Sequence, residues 1–294
     1  MEAREFIDRA KALMSQGPML LRLVAINVAV FVALRLVAIG GMFATTDVAQ
    51  MLLGWLELPS SPAVFLTRPW TILTYMFTQY DVMHILFNML WLYWFGTLFC
   101  MAATPRQLAA LYLLGGLGGG VLFMCAYGLL PGFGHRAGML LGSSASVMAI
   151  VTATAMLMPD FRMNLLFIGA VKLKWIAVAT IGLVLLGFTG TNAGGDVAHL
   201  GGIGVGALWA MQMRRGRDLT APLCRLLDKL SPKPSAPRSQ SRVYGGASGR
   251  RSSASDETDR ATLDLLLEKV RKSGYASLSP EERRLLFEIS RNIK

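Results

Sequence analysis

Six stretches of this chain are too apolar to be left in water, at about Met19 to Ile39, Met83 to Met101, Leu108 to Leu130, Ala145 to Met158, Trp175 to Thr189 and Val197 to Met213. Polar or Gly/Pro breaks separate them, which is the pattern of successive membrane helices. With 53% of residues hydrophobic and 16% charged, no water-soluble core accounts for the profile. The expected fold is an all-α membrane protein built as a bundle of six transmembrane helices.

Charge orients the bundle. With a cytoplasmic N-terminus, the inner segments hold Arg4, Arg9, Lys11, Arg106, Arg162, Lys172 and Lys174, and the outer loops only Arg68 and Arg136. The positive-inside rule then puts both termini in the cytoplasm of a cell whose inner or plasma membrane the chain spans. The acids Glu2, Glu5 and Asp8, with no small-residue cleavage site after the first run, argue against a cleaved signal or transit peptide. Cys100, Cys125 and Cys224 show no metal-ligand spacing, so no disulfide, metal or cofactor is expected.

The fourth run is short for a crossing, which takes about 20 apolar residues. Counted back from Pro159 at the helical rise, Ser144 lies about 22 Å from the inner surface, roughly 8 Å below the outer one. The sixth run ends at Arg214, and the same count puts His199 at about the same depth. A hydroxyl and an imidazole level with each other can be a nucleophile and its base.

The second run opens Asp81-Val82-Met83-His84, and His84 and Asn88, four apart, share one helix face. If Asp81 marks the outer surface, Asn88 lies about 10 Å down, near the depth inferred for Ser144 and His199. Polar groups inside a span are costly and usually mark a site; the plain alternative is that Asn88 only ties two helices together. The small residues Ala145, Ala149 and Ala153, and Ala198, Gly202 and Gly206, repeat at intervals of four and allow close approach of the fourth and sixth helices. The glycines 115, 116, 118, 119 and 120 of the third run read as packing alone, the first run as an anchor, and His135 as a loop residue.

The stretch Gly40 to Val82 is apolar for an outer loop, with Trp55, Phe65 and Trp70, and reads as short helices resting on the membrane, one started by Thr46 or Asp47. Asp196 reads as a helix N-cap at the interface, and residues 190–195 as a Gly-rich cap over the site. The domain layout is a cytoplasmic segment 1–18, the six-helix domain 19–213, a basic juxtamembrane and disordered linker 214–255, and a cytoplasmic helical hairpin 256–294 with a capping box at Ser279 to Glu282. Residues 214–251 carry a net charge of +8, suited to anionic lipids at the inner surface. No nucleic-acid module is present, so nucleic acid is not an expected partner.

These residues resemble the rhomboid family of intramembrane serine proteases, of bacterial type. The likeness spans about residues 19 to 213 and rests on His84-x-x-x-Asn88, Gly142-x-Ser144 and Ala198-His199-x-Gly201-Gly202 in that order, with Arg68-Pro69-Trp70 in the first outer loop. It implies Ser144 as nucleophile, His199 as general base, and His84, Asn88 and the Ser144 backbone N–H as oxyanion donors. Gly142, Ala145, Met148 and Gly202 are the structural residues near the site. Two positions depart from the family pattern: Ala145 stands where Gly is common, and Met148 where a Tyr often stacks on the catalytic His. The implied activity is endoproteolysis of other proteins' transmembrane helices near their outer ends, without a cofactor. The alternative is a catalytically silent rhomboid-like binder of such helices. A transporter is less suited, since the polar groups sit on one side and not at the midplane.

Overall fold

The computed structural model describes residues 18–41, 48–133, 137–165, 168–187 and 192–230, and in the tail residues 262, 266, 268, 269, 279, 281, 282 and 285. The chain divides into two units, Met1–Lys233 and Pro234–Lys294. The first is mostly helical: α1 Met19–Gly41, α2 Val48–Leu56, α3 Pro62–Thr67, α4 Thr71–Thr74, α5 Val82–Ala102, α6 Pro105–Leu129, α7 Ser144–Leu157, α8 Leu173–Gly187, α9 Ala193–Arg214 and α10 Ala221–Leu230. Each of the six apolar runs coincides with a helix. Among the described residues, α1, α5 and α6 are long and apolar enough to cross a membrane, and α7 and α8 are shorter apolar helices.

Local signals set the helix starts. Asp81 caps α5 by accepting the His84 N–H at 2.7 Å, and α6 opens on a capping box, with Pro105 in its first turn. There Thr104 Oγ1 accepts the Gln107 N–H at 3.2 Å while Gln107 Oε1 accepts the Thr104 N–H at 2.8 Å. Each such cap satisfies backbone donors that the helix itself leaves unpaired.

The core forms where α6, α7 and α9 meet on small residues. A β-carbon at Gly119 would stand 2.5 Å from the Ala145 Cβ and 2.9 Å from the Ala198 carbonyl, and one at Gly201 would stand 2.5 Å from the Gly118 carbonyl. Gly202 and Gly206 press on the Ala145 and Ala149 carbonyls with no room for any side chain. The small-residue faces of the fourth and sixth runs therefore do meet, and the glycines of α6 join them. Close packing replaces hydrophobic drive where the surrounding lipid is as apolar as the core.

The described stretch between α1 and α5 is folded. The Trp70 indole N–H donates to the Trp55 carbonyl at 3.0 Å, the two rings stack at 5.7 Å, and the Arg68 guanidinium donates to the Gly54 carbonyl. Strand β1, Leu58–Pro59, pairs antiparallel with β2, Met139–Leu140. Ser60 extends that tie: its N–H donates to the Gly138 carbonyl at 2.9 Å and its hydroxyl accepts the Gly138 N–H at 2.9 Å. The loop is thus fastened to the segment that leads into α7.

Several expectations are corrected. A hairpin of β3, Arg162–Leu165, and β4, Gly169–Lys172, links α7 to α8, where the sequence reading named no strand. Asp160 beside it accepts from Lys172 at 2.9 Å and Lys174 at 3.0 Å; these bonds hold its carboxyl below the usual carboxylate range. Helix α9 begins at Ala193, with Asn192 in the N-cap position, so Gly194 and Gly195 are helical, while residues 190 and 191 of the supposed cap lie outside the described residues. Asp196 is accordingly inside the helix and is not its N-cap. Helix α10 lies in the basic juxtamembrane part of residues 214–255. It follows Asp218, which accepts from Thr220, from the Trp209 indole at 3.2 Å and from Gln107 at 2.9 Å.

His135, Thr46, Asp47, residues 1–17 and most of the tail also lie outside the described residues. In the second unit, the Ser279 hydroxyl accepts the Glu282 N–H at 3.2 Å and Glu282 Oε2 accepts the Ser279 N–H at 2.8 Å, which is the capping box read from the sequence. Glu282 also pairs with Lys269 at 2.7 Å.

Candidate active site

The approach to α7 is bent at Gly142, whose φ of +114° suits a residue without a side chain. Its N–H donates to the Tyr75 carbonyl at 3.0 Å, and a β-carbon there would stand 2.8 Å from the His84 ring. The bend delivers Ser143 as N-cap and Ser144 as the first helical residue. Backbone N–H groups of a first turn have no partner within their own helix, and the dipole is positive there.

Ser144 Oγ lies 2.7 Å from His199 Nε2, hydrogen-bond distance for a hydroxyl and an imidazole nitrogen. The two residues stand on α7 and α9, the helices brought together by the Ala145 to Gly202 contact. In the neutral tautomer with its proton on Nδ1, His199 accepts the serine proton through Nε2. Nδ1 is buried and makes no hydrogen bond; Asp196 Oδ1 stands 3.6 Å from it. That gap is too long for a direct hydrogen bond, yet short enough for the carboxylate to favour a positive ring. Met148, one turn past Ser144, is half-buried.

His84 and Asn88 share a face of α5, with Asn88 buried and His84 half-buried, and His84 lies over Gly142. Asn88 does not stand alone. Its Nδ2 donates to Gln79 Oε1 at 2.8 Å. Gln79 Nε2 in turn donates to Asn27 Oδ1 at 3.0 Å and to Ser143 Oγ at 3.2 Å. Asn27 Nδ2 donates to the Leu23 carbonyl at 2.9 Å and to the Tyr112 hydroxyl at 3.0 Å, and Tyr112 donates to the Met76 carbonyl at 2.7 Å. Asn27, Gln79, Ser143 and Tyr112 are fully buried.

The geometry thus brings Ser144 to His199, His84 to Gly142, and Ala145 to Gly202. Sequence reasoning missed Asn27, Gln79 and Tyr112. Asn27 carried a signal, since it is the one amide in a mostly apolar span, between Arg22 and Arg35, where polar groups are expensive. Helix α1 is therefore more than an anchor. Arg35 of the same helix donates to the Tyr80 carbonyl and stacks over the Tyr80 ring at 4.2 Å.

A model of the Rhomboid domain matches residues 66–216, a span holding Gln79, His84, Asn88, Ser144 and His199. Over 158 residues the chain is 32% identical to "RHOMBOID-like protein 12, mitochondrial" of Arabidopsis thaliana. That match covers 50% of this chain and 47% of the relative, so the chain spans about half the length of the curated relative it matches.

Proposed function

This chain belongs to the rhomboid family, and from that premise we propose that it is an intramembrane serine endopeptidase with Ser144 as nucleophile and His199 as general base. The observation that carries the reading is the 2.7 Å contact between Ser144 Oγ and His199 Nε2. His199 takes the hydroxyl proton as Oγ attacks a substrate carbonyl, then gives it to the leaving amine. Asp196, on the far side of the ring, favours the imidazolium formed between those steps. The Ser144 N–H and the side chains of Asn88 and His84 stabilise the oxyanion. Water then hydrolyses the acyl-enzyme and restores Ser144.

The substrates are transmembrane helices of other proteins. Their backbone is hydrogen-bonded within the helix, so the segment to be cut must unwind, and small or helix-breaking residues near its outer end make that easier. In this reading all six long helices cross the membrane, with α7 short because its N-terminus ends inside the bilayer. The distribution of Lys and Arg supports cytoplasmic termini in the cell membrane, an active site near the outer leaflet, and a first outer loop seated on that leaflet. The bundle of residues 19–213 does the chemistry; the basic segment after it lies against anionic lipids of the inner leaflet.

The test is cleavage of a tagged single-span protein in liposomes by wild type, Ser144→Ala and His199→Ala. Product from wild type and none from either folded variant is expected. Equal product from all three would overturn the assignment. A wild type that bound the span, did not cut it and left a serine-directed phosphonate unreacted would instead be the silent binder.

A further inference from the structure

The hydrogen-bond chain behind Asn88 has a direction. The carbonyls of Leu23 and Met76 can only accept, and each fixes the group next to it. Tyr112 has one hydroxyl proton and gives it to Met76, so it accepts from Asn27. Asn27 must then turn its Nδ2 toward Leu23 and Tyr112, which leaves Oδ1 toward Gln79. Gln79 answers with Nε2, its oxygen therefore faces Asn88, and Asn88 must present Nδ2 to it. Reversing any one amide would set two oxygens or two N–H groups against each other in a fully buried place, which is costly.

Gln79 is saturated in this arrangement. Its two N–H groups go to Asn27 and Ser143, and its oxygen accepts from Asn88. It therefore has no donor left for a substrate. Asn88, by contrast, spends one of its two N–H groups on Gln79 and keeps the other. The segment carrying Gln79 is held from the same helix at a second point, through the Arg35 bond to the Tyr80 carbonyl.

We propose that Gln79, backed by Asn27 of α1, is a positioning residue that locks the Asn88 amide with its nitrogen toward Gln79 and so keeps the second N–H of that nitrogen free for the oxyanion. The same contact holds Ser143, whose hydroxyl makes no cap bond to α7, beside the nucleophile. Helix α1 lies outside the span matched by the Rhomboid domain, yet it takes part in the site through this relay. The inference rests on the protease reading above and deepens it.

The experiment is turnover of a tagged single-span peptide with an Ala/Gly-rich outer end, by the full chain in liposomes, for wild type, Gln79→Met, Asn27→Leu, Asn88→Ala and the doubles with Asn88→Ala. Ser144→Ala runs alongside. Losing one oxyanion donor costs about 100- to 1,000-fold in kcat, so Asn88→Ala should fall by about 100-fold and Gln79→Met, which misaligns the donor, by about 10-fold. KM should stay within about twofold of wild type, since the donor acts in the transition state. Asn27→Leu, which touches neither Ser144 nor Asn88, should fall in the same direction by less. Each double should turn over no slower than Asn88→Ala alone, because with the amide gone there is nothing left to align.

A Gln79→Met kcat equal to that of wild type, or losses that multiply in the doubles as independent packing defects would, overturns the relay and leaves the protease reading intact. Turnover by Ser144→Ala equal to that of wild type overturns both.

Discussion

Gly202 lies against the Ala145 carbonyl with no room for a β-carbon, and that contact sets how far His199 stands from Ser144. The residues concerned are adjacent or three apart in sequence on each helix, so any parting of α7 from α9 at this point opens the 2.7 Å bond almost directly. Gly202→Ala should therefore abolish turnover and lower stability by about 1 to 3 kcal/mol, the usual cost of overpacking a filled core. Thermal unfolding in detergent alongside the liposome assay checks both parts, and a variant as active as wild type would show that the contact does not set the dyad.

Gly142→Ala meets two obstacles at once, a φ of +114° and the His84 ring 2.8 Å from the new methyl. Turnover should fall at least about 10-fold, because a shift of even an ångström in the loop before the nucleophile misplaces the reacting groups. Steady-state kinetics of the folded variant measure this.

Asp196→Asn keeps the size of the side chain and removes its charge. The carboxylate is 3.6 Å from His199 Nδ1, beyond hydrogen-bond distance, so the loss should be well short of the roughly 10,000-fold seen when a bonded triad carboxylate is neutralised. We expect about 10-fold in kcat with KM nearly unchanged. An unaltered kcat would show that Asp196 only packs beside Gly187.

At the opposite end of the molecule, burial pushes the Asp218 carboxyl up, but bonds from Thr220, Gln107 and Trp209 outweigh it and leave it below the usual carboxylate range. A depressed folded-state value means that the carboxylate stabilises the fold above the unfolded value, near 4, and that this contribution is lost as pH falls through the folded value. Asp218→Asn should therefore unfold at lower temperature than wild type at pH 7, and the difference should shrink below about pH 4. Melting curves across that range decide it.

Substrate choice is also testable. A single-span substrate with an all-Leu outer end should be cut more slowly than one with Ala, Gly or Pro there, since Gly and Pro weaken a helix by about 1 and 3 kcal/mol. Equal rates would remove local unwinding from the mechanism.

The helices and the meeting of Ser144 with His199 were legible in the sequence because long apolar runs declare themselves, and because the fixed rise of a helix turns residue counts into depth. Ser144, His199 and Asn88 stood out by that arithmetic, His84 by its spacing of four from Asn88, and the roles given to them came from the family resemblance. Pairings between distant segments were not legible. Nothing in Leu58–Pro59 or Met139–Leu140 advertises a strand two residues long. Asn27 and Gln79 lie 52 residues apart, and a lone amide does not name its partner. Asp196 was misread because an acid before an apolar run resembles a cap; the three small residues Ala193, Gly194 and Gly195, which look like loop, are the true first turn.

The dyad also has a place in time. Ser144 and His199 are 55 residues apart in the chain, and α9 is the last long helix of the bundle to be made. At about 5 to 20 residues per second, the serine is synthesised roughly 3 to 11 seconds before the imidazole that would activate it. Until then it is an ordinary alcohol. On the protease reading proposed above, the nascent chain, with its own freshly inserted helices around it, passes through that interval unable to cut them.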